Sequence, residues 1–432
     1  MGVKTKRFIM KGKNCSCSMP GVWRALVCCK GVVVIFHSPR ACAQLVRSME
    51  VNAQYRVFSY GRKFDRHYDF VPLISTQMEE RDSIFGGTER LLECIQFVVD
   101  KYQPECIAIG NSCIAGVIGD DVETIGDAAA RQFKIPIITV SCYGFLDGEY
   151  YQGYFEMAQK LLRTFARPCR RKTKTVVLLG DNGGPWGHYA QEVAYLLNSL
   201  GIKILGQFPG YTAIAKIKDL VSAKAVVVLG SAGQADEGLL KLAELFGQFG
   251  VGQLPKGLYP IGWTNTQRWI LALGELFNCR EAAQQLVAME GHRLLSAGRN
   301  FLPVTSGKRV ILCIGRPLDY FNPALIIEII KVLDMNLIKV ILLDDYSNKE
   351  YKLIWEAIKH STNILICKSE SLDVRLDSDL ILTTHELKEC PVRQIFLPML
   401  TKAGIGGMID FMREIYRAFC HRGSRGGITY VW

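Results

Sequence analysis

The sequence has no long run of apolar residues. Its best candidate, residues 25–36, contains Lys30 and is shorter than the roughly 18 residues that a membrane span requires. The start of the chain, residues 1–13, is basic but lacks an apolar stretch long enough for a secretory signal peptide. We therefore expect a soluble, cytoplasmic protein with no membrane partner.

The sequence also lacks the compositional bias of disordered, collagen-like and coiled-coil proteins. Hydrophobic residues make up 49% of the 432 residues and charged residues 22%, as in an ordinary globular protein. At roughly 150 residues per domain, this length predicts about three folding units. The net charge of +11 is modest for a chain of this size, so it does not indicate a nucleic acid partner.

Short runs rich in Val, Ile and Leu recur along the chain, and each ends at a glycine before a polar loop and a helical pattern. Such runs are typical of strands buried on both faces of a parallel sheet. The four clearest examples are residues 106–110, 175–180, 225–230 and 309–315. Their alternation with helical patterns predicts an α/β fold with mainly parallel sheets flanked by helices.

Two stretches are the expected joints between folding units. Residues 163–174 are basic and contain Pro168, and residues 296–308 contain Pro303 and two glycines. A new strand pattern follows each stretch. The expected Rossmann-like domains are residues 1–165, 166–300 and 301–432.

Positive charge is concentrated near the start of the chain, where residues 1–66 contain 13 lysines or arginines and only two acidic residues. Either a solvated tail or a docking face for an acidic partner would explain this imbalance. The sequence leaves both interpretations open.

Cysteine is abundant, with 15 residues, and three of them lie in predicted loops. Because the chain has no export signal, disulfides are not expected, which leaves buried thiols, redox thiols and metal ligands. Cys113 follows the strand pattern at 106–110, and Cys42 opens the helical pattern at 43–48. Cys17 lies in a loop rich in turn residues.

The positions of Cys113 and Cys42 suit a metal–sulfur centre. Open α/β sheets bind ligands at the carboxyl ends of their strands, and helix N-termini favour anions such as a thiolate or an iron–sulfur cluster. We expect the helix N-terminus to lower the pKa of these thiols. The spacing alone is weak support, because Cys17, Cys42 and Cys113 form no compact motif such as C-x-x-C.

The residues around these cysteines resemble a known family. The segment from Cys17 to Cys42, which includes Pro20-Gly21 and His37, resembles the first two cluster-cysteine motifs of the nitrogenase component 1 superfamily. The match continues in the family's order with Ile-Ser-Thr-Gln-Met-Glu-Glu at 74–80, Ile-Phe-Gly-Gly at 84–87, Tyr-Gln-Pro-Glu at 102–105, Asn-Ser-Cys at 111–113 and Val-Ile-Gly-Asp-Asp at 117–121. Thinner similarity extends to Pro-Ile-Gly at 260–262 and to a closing helix at 404–419.

This resemblance implies three α/β domains and an oxidoreductase built from paired, related subunits. A separate ATP-dependent iron protein would deliver the electrons. By the same resemblance, Cys17, Cys42 and Cys113 would bind an iron–sulfur cluster at the subunit interface. Three thiolates leave a four-iron cluster one ligand short. The partner could supply that ligand, or the three cysteines could form half of a larger cluster of the P-cluster type.

Residues 111–121 are closer to the beta-chain version of the motif, so a beta-like subunit with an alpha-like partner is expected. Where an alpha chain would hold its catalytic cofactor through a cysteine, residues 225–236 contain no thiol. We therefore expect the catalytic site to be shared with the partner or located on it. The chain is shorter than typical nitrogenase beta chains, so a nitrogenase-like reductase is also expected, and dinitrogen is not assumed to be the substrate.

Two alternatives come from other functional classes. One is a non-catalytic scaffold for metallocofactor assembly within the same superfamily, and the other is a metal-free binding protein that retains the fold. The scaffold fits the missing cofactor cysteine as well as a beta subunit does. Neither is excluded by the sequence.

Three further residues are possible auxiliary groups at the cluster. Cys142 would be an additional ligand or a core thiol, and Cys15 could substitute for Cys17. His37 could hydrogen-bond a cluster sulfide or have a structural role. The glycine-rich loop at 180–187 lacks the Lys-Ser/Thr of a P-loop, so ATP is expected on the iron protein instead.

Overall fold

The structure is a computed structural model. It describes residues 17–59, 70–143, 150–231, 235–315, 323–343, 348–359, 364, 366–368, 378–385, 387, 392–397 and 402–421.

The first sheet has four parallel strands in the order β2-β1-β3-β4. The two central strands are buried along their whole length, as their continuous apolar runs predict. The strands are β1 (Val32–His37), β2 (Leu73–Ser75), β3 (Cys106–Ser112) and β4 (Ile137–Cys142). The helices are α1 (Met19–Arg24), α2 (Arg40–Ser59), α3 (Glu80–Phe85), α4 (Thr88–Tyr102), α5 (Cys113–Ile118), α6 (Val122–Phe133) and α7 (Tyr150–Phe165).

The second sheet is also parallel, in the order β6-β5-β7-β8. Its strands are β5 (Thr175–Leu179), β6 (Lys203–Phe208), β7 (Ala225–Val228) and β8 (Gly252–Gln253). The helices of this part of the chain are α8 (His188–Ser199), α9 (Ile214–Leu220), α10 (Ala235–Gln248), α11 (Gly262–Leu276) and α12 (Arg280–Thr305).

The third sheet has five parallel strands in the order β11-β10-β9-β12-β13. These strands are β9 (Arg309–Ile314), β10 (Asn336–Leu342), β11 (Ile366–Lys368), β12 (Leu380–Thr383) and β13 (Arg393–Phe396). Its helices are α13 (Pro323–Val332), α14 (Asn348–Lys359) and α15 (Gly404–Cys420).

Alternate residues of β5 belong to two different cores. Val177 packs in a core that also contains Val34 of the first sheet, whereas Val176 packs in a core that contains Leu312 of the third sheet. This is the two-residue side-chain period of a strand buried on both faces. The second sheet therefore connects the other two through apolar packing.

The predicted α/β class with parallel sheets is confirmed, and one sheet falls within each of the expected ranges 1–165, 166–300 and 301–432. The second expected joint, residues 296–308, is mostly helical, because α12 continues through Pro303 to Thr305. Packing outweighs the helix-breaking residues there: Gly298 lies against Val332, and the Thr305 hydroxyl donates to a carbonyl at the end of α13 at 2.9 Å.

Within the described ranges, no helix combines the length and the apolar character needed to cross a membrane.

Candidate functional site

The three predicted cysteines lie next to the carboxyl ends of the first sheet's strands. Cys113 is the first residue of α5 and directly follows β3, while Cys42 lies in the first turn of α2 after β1. Cys17 precedes α1, which contacts both α2 and β3. Since parallel strands end at the same edge, this topology brings together residues that are far apart in the chain.

Cys17 and Cys42 are both close enough to Cys113 for its charge to affect their pKa values. Charge on Cys113 raises the pKa of both Cys17 and Cys42, and charge on Cys17 raises the pKa of Cys42. The three side chains are half-buried, neither sealed in the core nor fully exposed. All three residues lie at the carboxyl edge of the first sheet.

The pKa values of two of these thiols differ from the sequence expectation. Burial raises the pKa of Cys17, although a hydrogen bond from the Met19 backbone N–H partly offsets this effect. Burial also raises the pKa of Cys42. The expected lowering of the Cys42 pKa was therefore wrong, because loss of hydration and the neighbouring thiols Cys113 and Cys17 raise it more than a backbone hydrogen bond lowers it. A metal would have to displace protons from these thiols.

The donor set fits a metal cluster with several metal atoms. Three thiols are soft ligands of the kind that iron–sulfur clusters use. In the part of the chain that the structure describes, no group of three or more His, Cys, Asp or Glu side chains could hold a metal ion. That finding concerns the ligands of a single ion. In a cluster, each thiol binds a different metal atom, so the sulfur atoms stand further apart than the ligands of one ion.

Two polar groups close to the cysteines in sequence are buried. The Ser18 hydroxyl and the Asn111 side-chain oxygen are both buried, and within the described residues neither makes a hydrogen bond. Ser18 follows Cys17 directly, and Asn111 lies two residues before Cys113. Buried polar groups normally find partners, so these two positions are compatible with an additional group at this edge.

His37 occupies the last position of β1 and is fully buried. Its Nδ1 lies 3.1 Å from Thr76 Oγ1 and its Nε2 lies 2.9 Å from Asp120 Oδ2. Burial lowers the pKa of His37, although the Asp120 carboxylate opposes this effect. Because both ring nitrogens have protein partners, the structural interpretation of His37 is favoured over a hydrogen bond to a cluster sulfide.

Asp120 also holds the start of α4. It accepts hydrogen bonds from the Gly87 backbone N–H at 3.0 and 3.1 Å. A β-carbon at Gly87 would lie 2.8 Å from His37 Cε1, so only glycine fits there. The neighbouring Asp121 has a different role, because it caps α6 by accepting a hydrogen bond from the Thr124 N–H. The paired glycines at 86–87 were the available signal for this network.

Cys142 lies near Cys17 but is buried at the end of β4. Burial raises its pKa well above the ordinary value, and Cys17 contributes to the increase. Its thiol lies 3.6 Å from the Val140 carbonyl oxygen. This burial favours a core thiol over an auxiliary ligand. Cys15 lies outside the described residues.

Large apolar side chains are exposed on the helices at this edge. Ile84 and Phe85 of α3 are 76% and 79% exposed, and α3 contacts α5, which begins at Cys113 and carries Val117 at 71%. On α2, Leu45 is also exposed. We call Ile84, Phe85 and Val117 the apolar patch. Exposed apolar clusters commonly mark protein–protein interfaces.

Helix α1 is anchored to the second sheet by an ion pair. Arg24 contacts Asp181 through Nε–Oδ2 at 2.5 Å and Nη2–Oδ1 at 2.9 Å. The Tyr211 hydroxyl donates to Asp181 Oδ1 at 2.6 Å and accepts from Arg24 Nη2 at 2.7 Å. The glycine-rich loop after β5 thus serves as an anchor for the helix that follows Cys17.

Comparison with known proteins identifies related sequences along most of the chain. The sequence model of a family described as nitrogenase component 1 type oxidoreductase matches residues 17–420. The nitrogenase iron-molybdenum cofactor biosynthesis protein NifE of Rippkaea orientalis is 26% identical over 258 residues, which cover 56% of this chain and 51% of that protein. The nitrogenase molybdenum-iron protein alpha chain of Methanothermobacter marburgensis is 23% identical over 304 residues, which cover 68% of this chain and 62% of that protein.

The matched region spans about half the length of the first of these curated relatives. A solved structure titled "Nitrogenase Cp1 at pH 6.5" superposes with a TM-score of 0.66 and 16% identity, covering 97% of this chain and 91% of that chain. That likeness shows the fold. The two relatives have NifE and alpha-chain names, so the expected likeness to a beta chain stays a prediction.

Proposed function

The chain belongs to the family of nitrogenase component 1 type oxidoreductases, and from this premise we propose that it is a subunit of a nitrogenase-like two-component reductase. Cys17, Cys42 and Cys113 bind an iron–sulfur cluster at the interface with a related, alpha-like subunit. The observation that carries the proposal is the convergence of these three thiols at one sheet edge, where charge on Cys113 raises the pKa of both Cys17 and Cys42.

The chain's own residues have separate tasks in this proposal. The three thiols lose their protons and bind metal, while α1, α2 and α5 hold them in place. When bound, the cluster supplies one-electron transfer. The partner subunit covers the apolar patch and supplies any missing ligand. A four-iron cluster and half of a P-cluster type are both compatible with three thiols.

We propose that electrons come from an ATP-dependent iron protein and that the substrate site is shared with the partner or lies on it. The absence of a cysteine from residues 225–236 supports this division of labour. We also retain residues 1–165, 166–300 and 301–432 as the proposed domains, each with its own sheet.

Anaerobic purification with the partner encoded by a neighbouring gene tests the metal assignment. The complex is expected to contain iron and acid-labile sulfide in similar amounts. Cys113→Ser should remove or distort the cluster spectrum without unfolding the protein. Cys94→Ser is the matched control, because Cys94 is also half-buried in this part of the chain but lies on α4. A colourless, iron-free complex would contradict the proposal.

A second candidate function is a scaffold on which a metallocofactor is assembled. It is favoured by the cofactor biosynthesis name of the NifE relatives. A scaffold would transfer its cluster to an apo-enzyme, whereas a reductase subunit would support ATP-coupled electron consumption with its iron protein. Cluster transfer without such turnover would replace the reductase proposal.

A further inference from the structure

Sheet order places three lysines along the amino edge of the second sheet. Lys174 immediately precedes β5, Lys203 begins β6, and Lys224 immediately precedes β7. These strands are parallel neighbours in the order β6-β5-β7, so their amino ends meet at one edge. The Lys203 backbone N–H donates to the Lys174 carbonyl at 2.9 Å. Ligand sites of α/β sheets form at the opposite, carboxyl edge.

The segment before β5 adds cations to the same edge. The Lys172 backbone N–H donates to the Ser222 carbonyl at 2.7 Å, and Cys169 Sγ lies 3.9 Å from the Lys218 carbonyl oxygen. Arg171 fixes this segment by donating to three backbone carbonyls at 2.5 to 2.7 Å. The segment, the end of α9 and the sheet edge therefore form one surface.

We call this surface the basic edge and define it by its exposed cations, Arg170, Lys172, Lys174, Lys203, Lys216 and Lys218. Among the described residues, none of these side chains forms an ion pair. By contrast, Lys241 and Lys256 each pair with a glutamate at 2.8 Å. Asp219 adds one exposed carboxylate to the edge. Unpaired like charges repel each other, so a partner of opposite charge would stabilise this surface.

We propose that the basic edge is a docking surface for a protein partner that presents a cluster of carboxylates. Lysine supplies most of the cations, and its mobile point charge suits dispersed carboxylates, whereas arginine is preferred for phosphate and nucleic acid recognition. Sites for single-stranded nucleic acid also expose aromatic rings for base stacking. In the described part of residues 166–300, the exposed aromatic rings are those of Trp186 and Tyr195. Trp186 follows the carboxyl end of β5, and Tyr195 bonds to Glu290 on α12.

Charge reversal at two exposed positions tests this surface in the full-length, anaerobically purified protein. The probe is poly-L-glutamate, and its association is measured at low and high salt. Lys216→Glu combined with Lys218→Glu should lower the association rate constant roughly tenfold at low salt. The difference should disappear at high salt, because salt screens exposed charges. Lys241→Glu combined with Lys256→Glu is the matched control, with the same change in net charge, and should have little effect.

Zero-length carbodiimide cross-linking to poly-L-glutamate, mapped by mass spectrometry, should modify Lys174 and Lys203. An equal loss of binding in both double variants would overturn the proposal, because net charge alone would then explain it. Tighter binding of a short duplex DNA, or of phosphatidylserine vesicles, with the same dependence on the basic edge would overturn the choice of a protein partner. Iron content is measured separately. An iron-free protein that still binds the probe would contradict the proposed function alone.

Discussion

Replacing Arg24 with alanine is expected to destabilise the protein and to lower its iron content. The Arg24 and Asp181 side chains are only 17% and 23% exposed, so the variant leaves a largely buried carboxylate without its cation. Removing one partner of a fully buried ion pair costs about 3–5 kcal/mol, and the residual exposure points to the lower end, about 3 kcal/mol. Because α1 begins just after Cys17, its loosening should also reduce metal binding.

The pH dependence of this effect has a defined sign. Burial opposes ionisation of Asp181, but Arg24, together with hydrogen bonds from the Tyr211 hydroxyl and the Gly184 N–H, holds the pKa of Asp181 below its usual value. A carboxylate with a lowered pKa in the folded state stabilises the protein above its unfolded pKa, about 3.9, and loses this contribution as the pH falls through the folded value. The stability difference between wild type and Arg24→Ala should therefore be full at neutral pH and shrink as the pH falls and Asp181 becomes protonated, first in the variant, where burial raises its pKa without Arg24 to oppose it.

Chemical denaturation at several pH values and iron analysis of the same samples measure these effects. Arg24→Lys should recover part of the stability, because it keeps the charge but loses the two-point contact with Asp181. The double variant Arg24→Ala/Asp181→Ala should be less destabilised than the sum of the single variants. Unchanged stability at neutral pH, or strict additivity in this cycle, would refute the reasoning.

Three other predictions concern separate parts of the molecule. Gly87→Ala should lower the free energy of unfolding by about 1–3 kcal/mol in denaturant titrations, because its methyl group would overlap the buried His37 ring. Phe85→Asp should weaken association with the partner subunit in analytical ultracentrifugation while leaving the circular dichroism spectrum intact, since Phe85 is exposed. Burial opposes ionisation of Asp410, but the His188 hydrogen bond and nearby cations hold its pKa at about 2, so the stability difference between wild type and Asp410→Asn should shrink as the pH falls from about 4 to 2.

The α/β class could be predicted because central strands such as β3 and β9 are apolar on both faces, a pattern that is visible without knowledge of tertiary contacts. The extent of α12 could not be predicted in the same way. Pro303 and Gly298 locally favour a break, but the packing of Gly298 against Val332 depends on residues that are distant in sequence.

The grouping of the cysteines was predictable for a topological reason. Cys42 and Cys113 follow strands that pair in parallel, so they lie at the same edge of the sheet. The pKa of Cys42 was not predictable, because it depends on burial rather than on its position in a helix. The His37–Asp120–Gly87 network was also missed, since it joins three segments through side-chain geometry that no sequence period encodes.

The most direct test of the cluster assignment is a crystal structure of the anaerobically isolated complex with anomalous data collected at the iron edge. The account predicts iron within bonding distance of the sulfur atoms of Cys17, Cys42 and Cys113, at the boundary with the partner subunit. Iron bound elsewhere, or three thiols with no iron beside them in an iron-containing complex, would contradict it.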